Sequence, residues 1–291
     1  MKTVYIEKTD AHATLTTWLY CGFHMMYKAD LLGHIPYINW HRGRCLSAYA
    51  DDNMFNKIPN MFEWYFEQPF ISGTPQADEV WTWELPDWGA KVYTDDYLFM
   101  SQPLATIKDY YKRHLKFNPT VNDRGNQLVR KYGIDFSKTI GITWRGTDIC
   151  LDGRPRMPIE TYFPFIDDIL VREPDLRIMC TAEEHGILAP LLARYKSAFI
   201  IDEFYSSPHG SKHNPERFSP FTGYERGMQP ALMVWMFSKC AHYIKNRSST
   251  GAVASWLSDG RIVSLGHPEN LGFPANTDTA EIEGKLYPLY R

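Results

Sequence analysis

The stretch I-G-I-T-W-R-G-T-D-I-C, residues 140–150, decides the fold class of this 291-residue chain. Ile140 to Thr143 have the apolar, β-branched character of a buried strand, and Arg145 and Asp148 follow directly. A strand used only for packing usually ends in a neutral turn, whereas an α/β sheet binds its ligands beyond the carboxyl ends of its strands. The sequence therefore predicts an α/β fold with an anion site after this strand.

Strands and helices alternate from this stretch towards the C-terminus. Further strands are predicted at L-R-I-M-C-T-A (176–182), A-F-I-I-D-E-F (198–204), A-H-Y-I-K-N (241–246) and R-I-V-S-L-G (261–266). The segments between them have helical periodicity, which indicates βαβ units and a parallel sheet. In the first half of the chain, the sequence predicts short strands, a long helix ending near Gly33, an aromatic helix over 60–70 and a helix ending at Gly133. We expect two halves joined near residues 134–139.

Composition excludes several classes of protein. Hydrophobic residues make up 44% and charged residues 22%, with a net charge of −3, so no global basic field exists to bind nucleic acid or an acidic membrane. The 5 cysteines include no C-x-x-C pair, which argues against a disulfide framework and a zinc ribbon. No signal peptide and no apolar run of membrane-spanning length is evident, so we expect a cytoplasmic protein without a transmembrane segment.

Polar residues follow four predicted strands of the second half, at 145–148, 181–184, 206–226 and 246–250. In a parallel sheet these ends meet at one edge. Arg145 can bind a phosphate with two parallel hydrogen bonds, or can form an ion pair with a nearby carboxylate. Ser248, Ser249 and Thr250 begin a helix whose N-terminus suits a phosphate, although Ser248 can equally be a plain N-cap. Together they predict a diphosphate site.

Three other groups of polar residues have two readings each. Thr181 can cap a helix that begins at Glu183 and Glu184, or these carboxylates can accept hydrogen bonds from a nucleobase or ribose. The loop 206–226, with His209, His213, Arg217 and Arg226, can close over a ligand or hold a weak metal site. The acidic residues at 51–52 and 94–96 can lie in solvent-exposed turns, or they can bind a divalent ion on a nucleotide diphosphate. Because arginine and a helix N-terminus already neutralise a diphosphate, we expect no metal.

Three motifs in this order resemble a known family. I-G-I-T-W-R-G-T-D, M-C-T-A-E-E-H-G and C-A-H-Y-I-K-N-R-S-S-T-G-A-V-A-S-W-L are similar to the three motifs of the fucosyltransferase superfamily. That superfamily includes the core α1,6-, nodulation, α1,2- and protein O-fucosyltransferases. The segments 21–43 and 49–66 resemble the beginning of the nodulation enzymes, so the resemblance covers roughly residues 20–260.

The resemblance implies a GT-B-like fold with two Rossmann-like domains whose parallel sheets face a cleft. Residues 1–134 would form the acceptor-side domain and 135–291 the nucleotide-sugar domain. It also implies an inverting, metal-independent glycosyltransferase that uses a GDP-sugar, often GDP-fucose, and no other cofactor. Carried over by position, Arg145 binds the β-phosphate, and the donor-binding positions are Asp148, Glu183, Glu184, Ser248 and Ser249.

For the acceptor proton we assign Asp152 as the general base, with Asp51, Asp52 and Glu63 as alternatives. Thr143 and Gly146 stand where the family motif carries a histidine and a second arginine. Two other functions therefore stay open. The chain can transfer a different activated group, or it can be a non-catalytic glycan- or nucleotide-binding module of the same fold.

Overall fold

The computed structural model describes residues 1–8, 15–41, 49–83, 103–145, 157–182, 184–204, 221–246, 248–265, 281–282 and 285–286. The chain divides into two compact units. The first comprises Met1–Arg124 and Pro220–Leu232, and the second comprises Gly125–Ser219 and Met233–Arg291.

The helices and strands of the first unit are β1 (Thr3–Lys8), α1 (Leu15–Leu31), β2 (Ile35–Ile38), α2 (Asp52–Phe55), β3 (Phe66–Glu67), β4 (Glu79–Trp83), α3 (Leu104–His114) and β5 (Lys116–Phe117). Three of these strands form a parallel sheet, in the described order β2-β1-β4. The buried face of α1 repeats at intervals of three and four residues, at Leu15, Leu19, Phe23 and Met26. Gly33, at a φ of +68°, follows the helix in the left-handed conformation that ends many helices.

The aromatic helix predicted over 60–70 is wrong. Met61–Trp64 form a short 3₁₀ helix, and the chain then enters β3. At its beginning the Asn60 side chain accepts a hydrogen bond from Trp40 N at 3.0 Å and donates to Ile38 O at 2.7 Å, which ties the segment to the end of β2. The helix ends early because Phe66 and Glu67 pair with Phe117 and Lys116 of β5.

The division between the units falls inside a helix, α4 (Pro119–Tyr132), at Arg124 and Gly125. The boundary expected from the sequence lies ten residues later, between residues 134 and 135. Gly133 ends α4 with a φ of +57°, as predicted. A second helix, α7 (Gly223–Phe237), also contributes to both units, because the first contains its residues up to Leu232. Each unit therefore comprises two separate segments of the chain, and no single boundary in the sequence separates the units.

In chain order, the elements of the second unit after α4 are β6 (Thr139–Trp144), α5 (Phe163–Arg172), β7 (Arg177–Ala182), α6 (Ala189–Arg194), β8 (Ala198–Ile200), α7, β9 (His242–Asn246), α8 (Ser249–Leu257) and β10 (Arg261–Leu265). The five strands form a parallel sheet in the described order β10-β9-β6-β7-β8. Two further short strands, β11 (Glu281–Ile282) and β12 (Lys285–Leu286), pair with each other. The predicted parallel α/β sheet is confirmed.

Successive side chains of β6 point to opposite faces of the sheet. Ile140, Ile142 and Trp144 join an apolar cluster that includes residues of α5 and α6. On the other face Gly141 leaves no room for a side chain, because a Cβ there would lie 2.7 Å from Phe237 and 2.9 Å from Cys240. The glycine in I-G-I-T-W is therefore required by close packing at the end of α7.

Candidate functional site at the carboxyl edge of the second sheet

The strand order of the second unit contains one reversal among its described strands. The chain proceeds outward from β6 to β7 and β8, and then returns to the other side of β6 to form β9 and β10. The reversal lies between β6 and β9. In open α/β sheets, ligands bind beyond the carboxyl ends of the strands at such a switch point.

Arg145 is the first residue after β6, and Asn246, the last residue of β9, holds its main chain. The Asn246 side chain accepts a hydrogen bond from Arg145 N at 2.9 Å and donates one to Arg145 O. Main-chain pairing of the two strands ends one step earlier, at Thr143 and Lys245. The buried carboxamide of Asn246 thus bridges the point where the strands separate, and it fixes where Arg145 leaves the sheet.

The helix α8 begins directly after β9, on the other side of the switch point. Ser248 is the N-cap, and its hydroxyl accepts a hydrogen bond from Gly251 N at 3.1 Å. Ser249 and Thr250 form the first turn and are half-buried. The plain capping role considered for Ser248 is therefore present. The structure brings Arg145, Ser248, Ser249 and Thr250 to the two sides of one strand switch.

The predicted capping role of Thr181 is wrong. Thr181 lies inside β7, paired with Thr143 of β6, and the strand continues to Ala182. Glu184 occupies the N-cap position of a 3₁₀ helix, His185–Leu188, but its side chain makes no capping hydrogen bond. Thr181 stays in the strand because β7 has a neighbouring strand on each side, and a buried β-branched side chain packs well in such a sheet.

Several predicted residues lie outside the part of the chain that the structure describes. These are Asp148, Asp152, Glu183, the acidic residues at 94–96, and His209, His213 and Arg217 of the long loop. Arg226, assigned to that loop, lies instead in α7. This helix begins earlier than expected because Thr222 and Glu225 form a capping box, with bonds of 2.9 Å and 3.2 Å between each main-chain N–H and the other side chain.

The alternative bases of the first unit have structural partners. Asp51 caps α2 by accepting a hydrogen bond from Met54 N at 3.2 Å, and Asp52 lies in the first turn of that helix. Glu63 accepts hydrogen bonds from the Tyr37 hydroxyl at 2.7 Å and the Gln68 amide at 3.1 Å. These contacts account for the carboxylates of Asp51 and Glu63 as parts of the fold.

Tyr243 and Thr143 join β9 to β6 below the switch point. Their hydroxyl oxygens are 2.8 Å apart, and both side chains are buried. Burial raises the pKa of Tyr243 well above its usual range, although the hydrogen bond with Thr143 opposes the change. Tyr243 is therefore a neutral hydrogen-bonding group here and not a base.

Lys245 is buried near the carboxyl edge of the sheet, which the sequence does not indicate. This residue lies one position before the end of β9, and only 2% of it is exposed. The sequence A-H-Y-I-K-N places a lysine near a strand end, where an exposed position is the usual interpretation. Burial of a lysine cannot be deduced from that pattern alone, because it depends on which face of the sheet is covered.

The fold is shared with solved structures. NodZ α-1,6-fucosyltransferase co-crystallised with GDP matches over 91% of this chain and 95% of its own, with 15% identity and a TM-score of 0.54. The same enzyme soaked with GDP-fucose gives a TM-score of 0.51 at 14% identity over the same shares of both chains. FUT1 of Arabidopsis thaliana in complex with GDP matches over 92% of this chain and 71% of its own, with 13% identity and a TM-score of 0.53.

The chain has the GT-B fold of these fucosyltransferases. The GT-B-like α/β fold that the resemblance implies is thereby confirmed. No family model and no curated protein sequence matches the chain. Within the described ranges, no helix is long and apolar enough to cross a membrane. The same ranges contain no group of three or more histidine, cysteine, aspartate or glutamate residues arranged to hold a metal ion.

Proposed function

We propose that this chain is a glycosyltransferase that binds a GDP-sugar at the switch point between β6 and β9. One observation carries the proposal. Arg145, held by the side chain of Asn246, lies across the strand switch from the start of α8. The fold that presents this arrangement is shared with enzymes solved with GDP and with GDP-fucose.

The chemistry of donor cleavage fits these residues. When the bond from the anomeric carbon to the phosphate oxygen breaks, negative charge grows on the leaving β-phosphate. Fixed donors aimed at that charge lower the barrier, because they need not reorganise during the reaction. In our proposal the Arg145 guanidinium and the first turn of α8 supply them. Asp148, Glu183 and Glu184 are proposed to contact the rest of the donor.

We propose a single displacement with inversion and without a metal ion. An acceptor hydroxyl attacks the anomeric carbon while the phosphate leaves, and its proton passes to a carboxylate. Asp152 remains our candidate for that carboxylate. The acceptor, a carbohydrate, is proposed to bind to the unit that contains most of residues 1–134, and the protein is proposed to act in the cytoplasm without a nucleic-acid partner.

The test is a release assay with a panel of donors. Purified protein is incubated with GDP-fucose, GDP-mannose, UDP-glucose, CDP- and dTDP-sugars, and free nucleoside diphosphate is measured with and without EDTA. We expect slow hydrolysis of a GDP-sugar, unchanged by EDTA. Hydrolysis restored only by magnesium or manganese would overturn the metal-independent mechanism. If the protein binds a GDP-sugar but releases no GDP from it, the chain is the non-catalytic binding module. If it releases UDP, CDP or dTDP instead, the donor is a sugar linked to that nucleotide and not a GDP-sugar.

A further inference from the structure

The sheet of the first unit has a strand switch of its own among its described strands. From β1 the chain proceeds to β2 on one side, and it later returns to the other side of β1 to form β4. Glu7 lies at the carboxyl end of β1 and is paired with Thr82 of β4. Open α/β sheets bind ligands beyond the carboxyl ends of their strands at such a point, so this edge is a second candidate site.

The side chain of Glu7 lies on the face of this sheet that α1 does not cover. The helix packs on the other face, where a Cβ added to Gly22 would be 3.7 Å from Ile38, which is in register with the residue before Glu7. Because side chains alternate along a strand, Val80 and Thr82 of β4 share the face of Glu7. Val80 is 53% exposed, and Thr82 is exposed as well. Parallel sheets are normally covered on both faces, so this open surface leaves room for a ligand.

The carboxylate of Glu7 is held in place, and the described contacts use only part of its capacity to accept hydrogen bonds. One oxygen accepts a hydrogen bond from Asn39 Nδ2 at 2.7 Å, and the other lies 3.5 Å from His41 Nε2. A carboxylate has about four lone-pair positions that can accept hydrogen bonds. The side chain is 12% exposed, so a ligand in solution can still reach it. Glu7 can therefore accept further hydrogen bonds without giving up those that fix it.

Asn39 and His41 follow the end of β2, and the main chain of each is held by a neighbouring segment. Asn39 N donates a hydrogen bond to Ile6 O at 3.0 Å, which continues the pairing of β1 with β2. His41 forms an isolated bridge with Asn60. A carboxylate, a carboxamide and an imidazole thus meet at the carboxyl edge of the first sheet, each on a fixed main chain.

A neutral molecule with several hydroxyl groups suits this group of side chains. The carboxylate can only accept hydrogen bonds, and the Asn39 oxygen accepts as well, whereas a hydroxyl can donate to either. A carboxylate disfavours a phosphate, because like charges placed together repel. The exposed Val80 offers apolar surface next to these polar groups, a combination that is usual in ligand sites. A sugar ring has both kinds of surface, since its hydroxyls are polar and its C–H face is apolar.

We propose that Glu7, together with Asn39 and Thr82, binds the hydroxyl groups of a carbohydrate at the switch point of the first sheet. The identification of this carbohydrate as the acceptor of the transfer reaction rests on the proposed function. Glu7 determines which hydroxyls are recognised, because its carboxylate is fixed from two strands. Loss of Glu7 therefore impairs sugar binding and leaves nucleotide binding unchanged.

The test titrates the protein with the methyl glycosides of glucose, galactose, mannose and N-acetylglucosamine, and measures binding by saturation-transfer NMR. The variants are Glu7→Gln and Thr82→Val. Glu79→Gln is the matched control, because it makes the same change at the amino end of β4, where Glu79 pairs with Lys2. We expect wild-type protein to bind at least one glycoside, Glu7→Gln to bind it at least about tenfold more weakly, Thr82→Val about threefold more weakly, and the control to match wild type.

Melting temperatures and GDP calorimetry on the same variants separate this role from a structural one. Glutamine can still accept the hydrogen bond from Asn39, so Glu7→Gln should melt as wild type does and bind GDP with the same affinity. Thr82 is exposed, so Thr82→Val keeps the fold, and its sugar affinity decides the question if Glu7→Gln melts early.

The possible failures are distinct. If wild-type protein binds none of the glycosides, or if the Glu7 and Thr82 variants bind the sugar as tightly as wild type, the inference is wrong while the proposed function stands. If wild-type protein binds a glycoside through Glu7 but binds no GDP, the carbohydrate site stands and the proposed function is wrong.

Discussion

The side chain of Asn246 hydrogen-bonds both the N–H and the carbonyl of Arg145, across the gap where β6 and β9 separate. A carboxamide can do this because it carries a donor and an acceptor side by side. It continues the main-chain pairing of the sheet by one further step. The direction in which Arg145 leaves the sheet therefore depends on a residue of another strand.

Asn246→Ala should weaken GDP binding although Asn246 itself need not touch the ligand. The substitution removes the two hydrogen bonds from the Asn246 side chain to the half-buried Arg145 main chain, and the loss of such a bond costs about 0.5–1.5 kcal/mol. Asn122→Ala is the control, because it removes a comparable side-chain bond to the Phe117 carbonyl, of 2.9 Å, in the first unit. Calorimetry and melting curves on both variants provide the check. Equal GDP affinity in wild type and Asn246→Ala would show that Arg145 needs no such support.

Arg145→Lys should reduce turnover far more than stability. Lysine keeps the charge but loses the planar pair of donors that matches a phosphate. Loss of one well-placed donor to charge that grows in the transition state costs about 3–4 kcal/mol, a rate decrease of roughly a hundred- to a thousandfold. kcat and Tm are measured for Arg145→Lys and Arg145→Ala. A variant that melts several degrees early yet turns over normally would make Arg145 a structural residue.

Gly141→Ala should destabilise the second unit. The new Cβ would overlap Phe237 and Cys240, and overpacking of this kind costs about 1–3 kcal/mol. Gly186→Ala serves as the control, because a Cβ there meets no atom within 4 Å. Urea unfolding at constant m-value measures the difference. Equal urea midpoints for the two variants would mean that the end of α7 can move away from β6 without a loss of unfolding free energy.

His242 should make the protein less stable as the pH falls. Burial lowers the pKa of His242 below its ordinary value, against an opposing effect of Glu173, whose carboxylate is 2.9 Å away, and with smaller lowering effects of Arg261 and Arg172. Because the folded state holds the ring neutral, the unfolded state binds more protons once the pH drops below about 6.5, the ordinary histidine value.

Stability is therefore complete above about pH 6.5 and decreases as the pH falls through the lowered folded pKa. Unfolding free energies of wild type and His242→Gln, measured in urea from about pH 7.5 to pH 5, should diverge in slope, with the variant less sensitive to acid. Parallel curves would exclude His242 as a titrating group in this range.

Local signals in the sequence predicted the repeating units but not their boundaries. The parallel strands of the second unit and the end of α4 at Gly133 follow from hydrophobic runs and one glycine. The capping box of Thr222 and Glu225 was also readable, since T-G-Y-E matches its spacing, and it would have placed the start of α7 correctly.

The candidate site depends on pairings that sequence spacing does not contain. Asn246 and Arg145 are 101 residues apart, and their contact exists only because β9 inserts beside β6. Burial of Lys245 likewise depends on α8 covering one face of the sheet. Threonine before two glutamates resembles a helix cap, whereas the pairing of Thr181 with Thr143 keeps it in the strand.

The central claim is that a guanosine diphosphate binds at the switch point between β6 and β9, and a calorimetric titration of GDP tests it most directly. Wild-type protein should bind one GDP per chain, and Arg145→Ala, with an unchanged Tm, should bind it at least about tenfold more weakly. No heat of binding for wild-type protein at millimolar GDP, or equal affinity in the variant, would contradict the account.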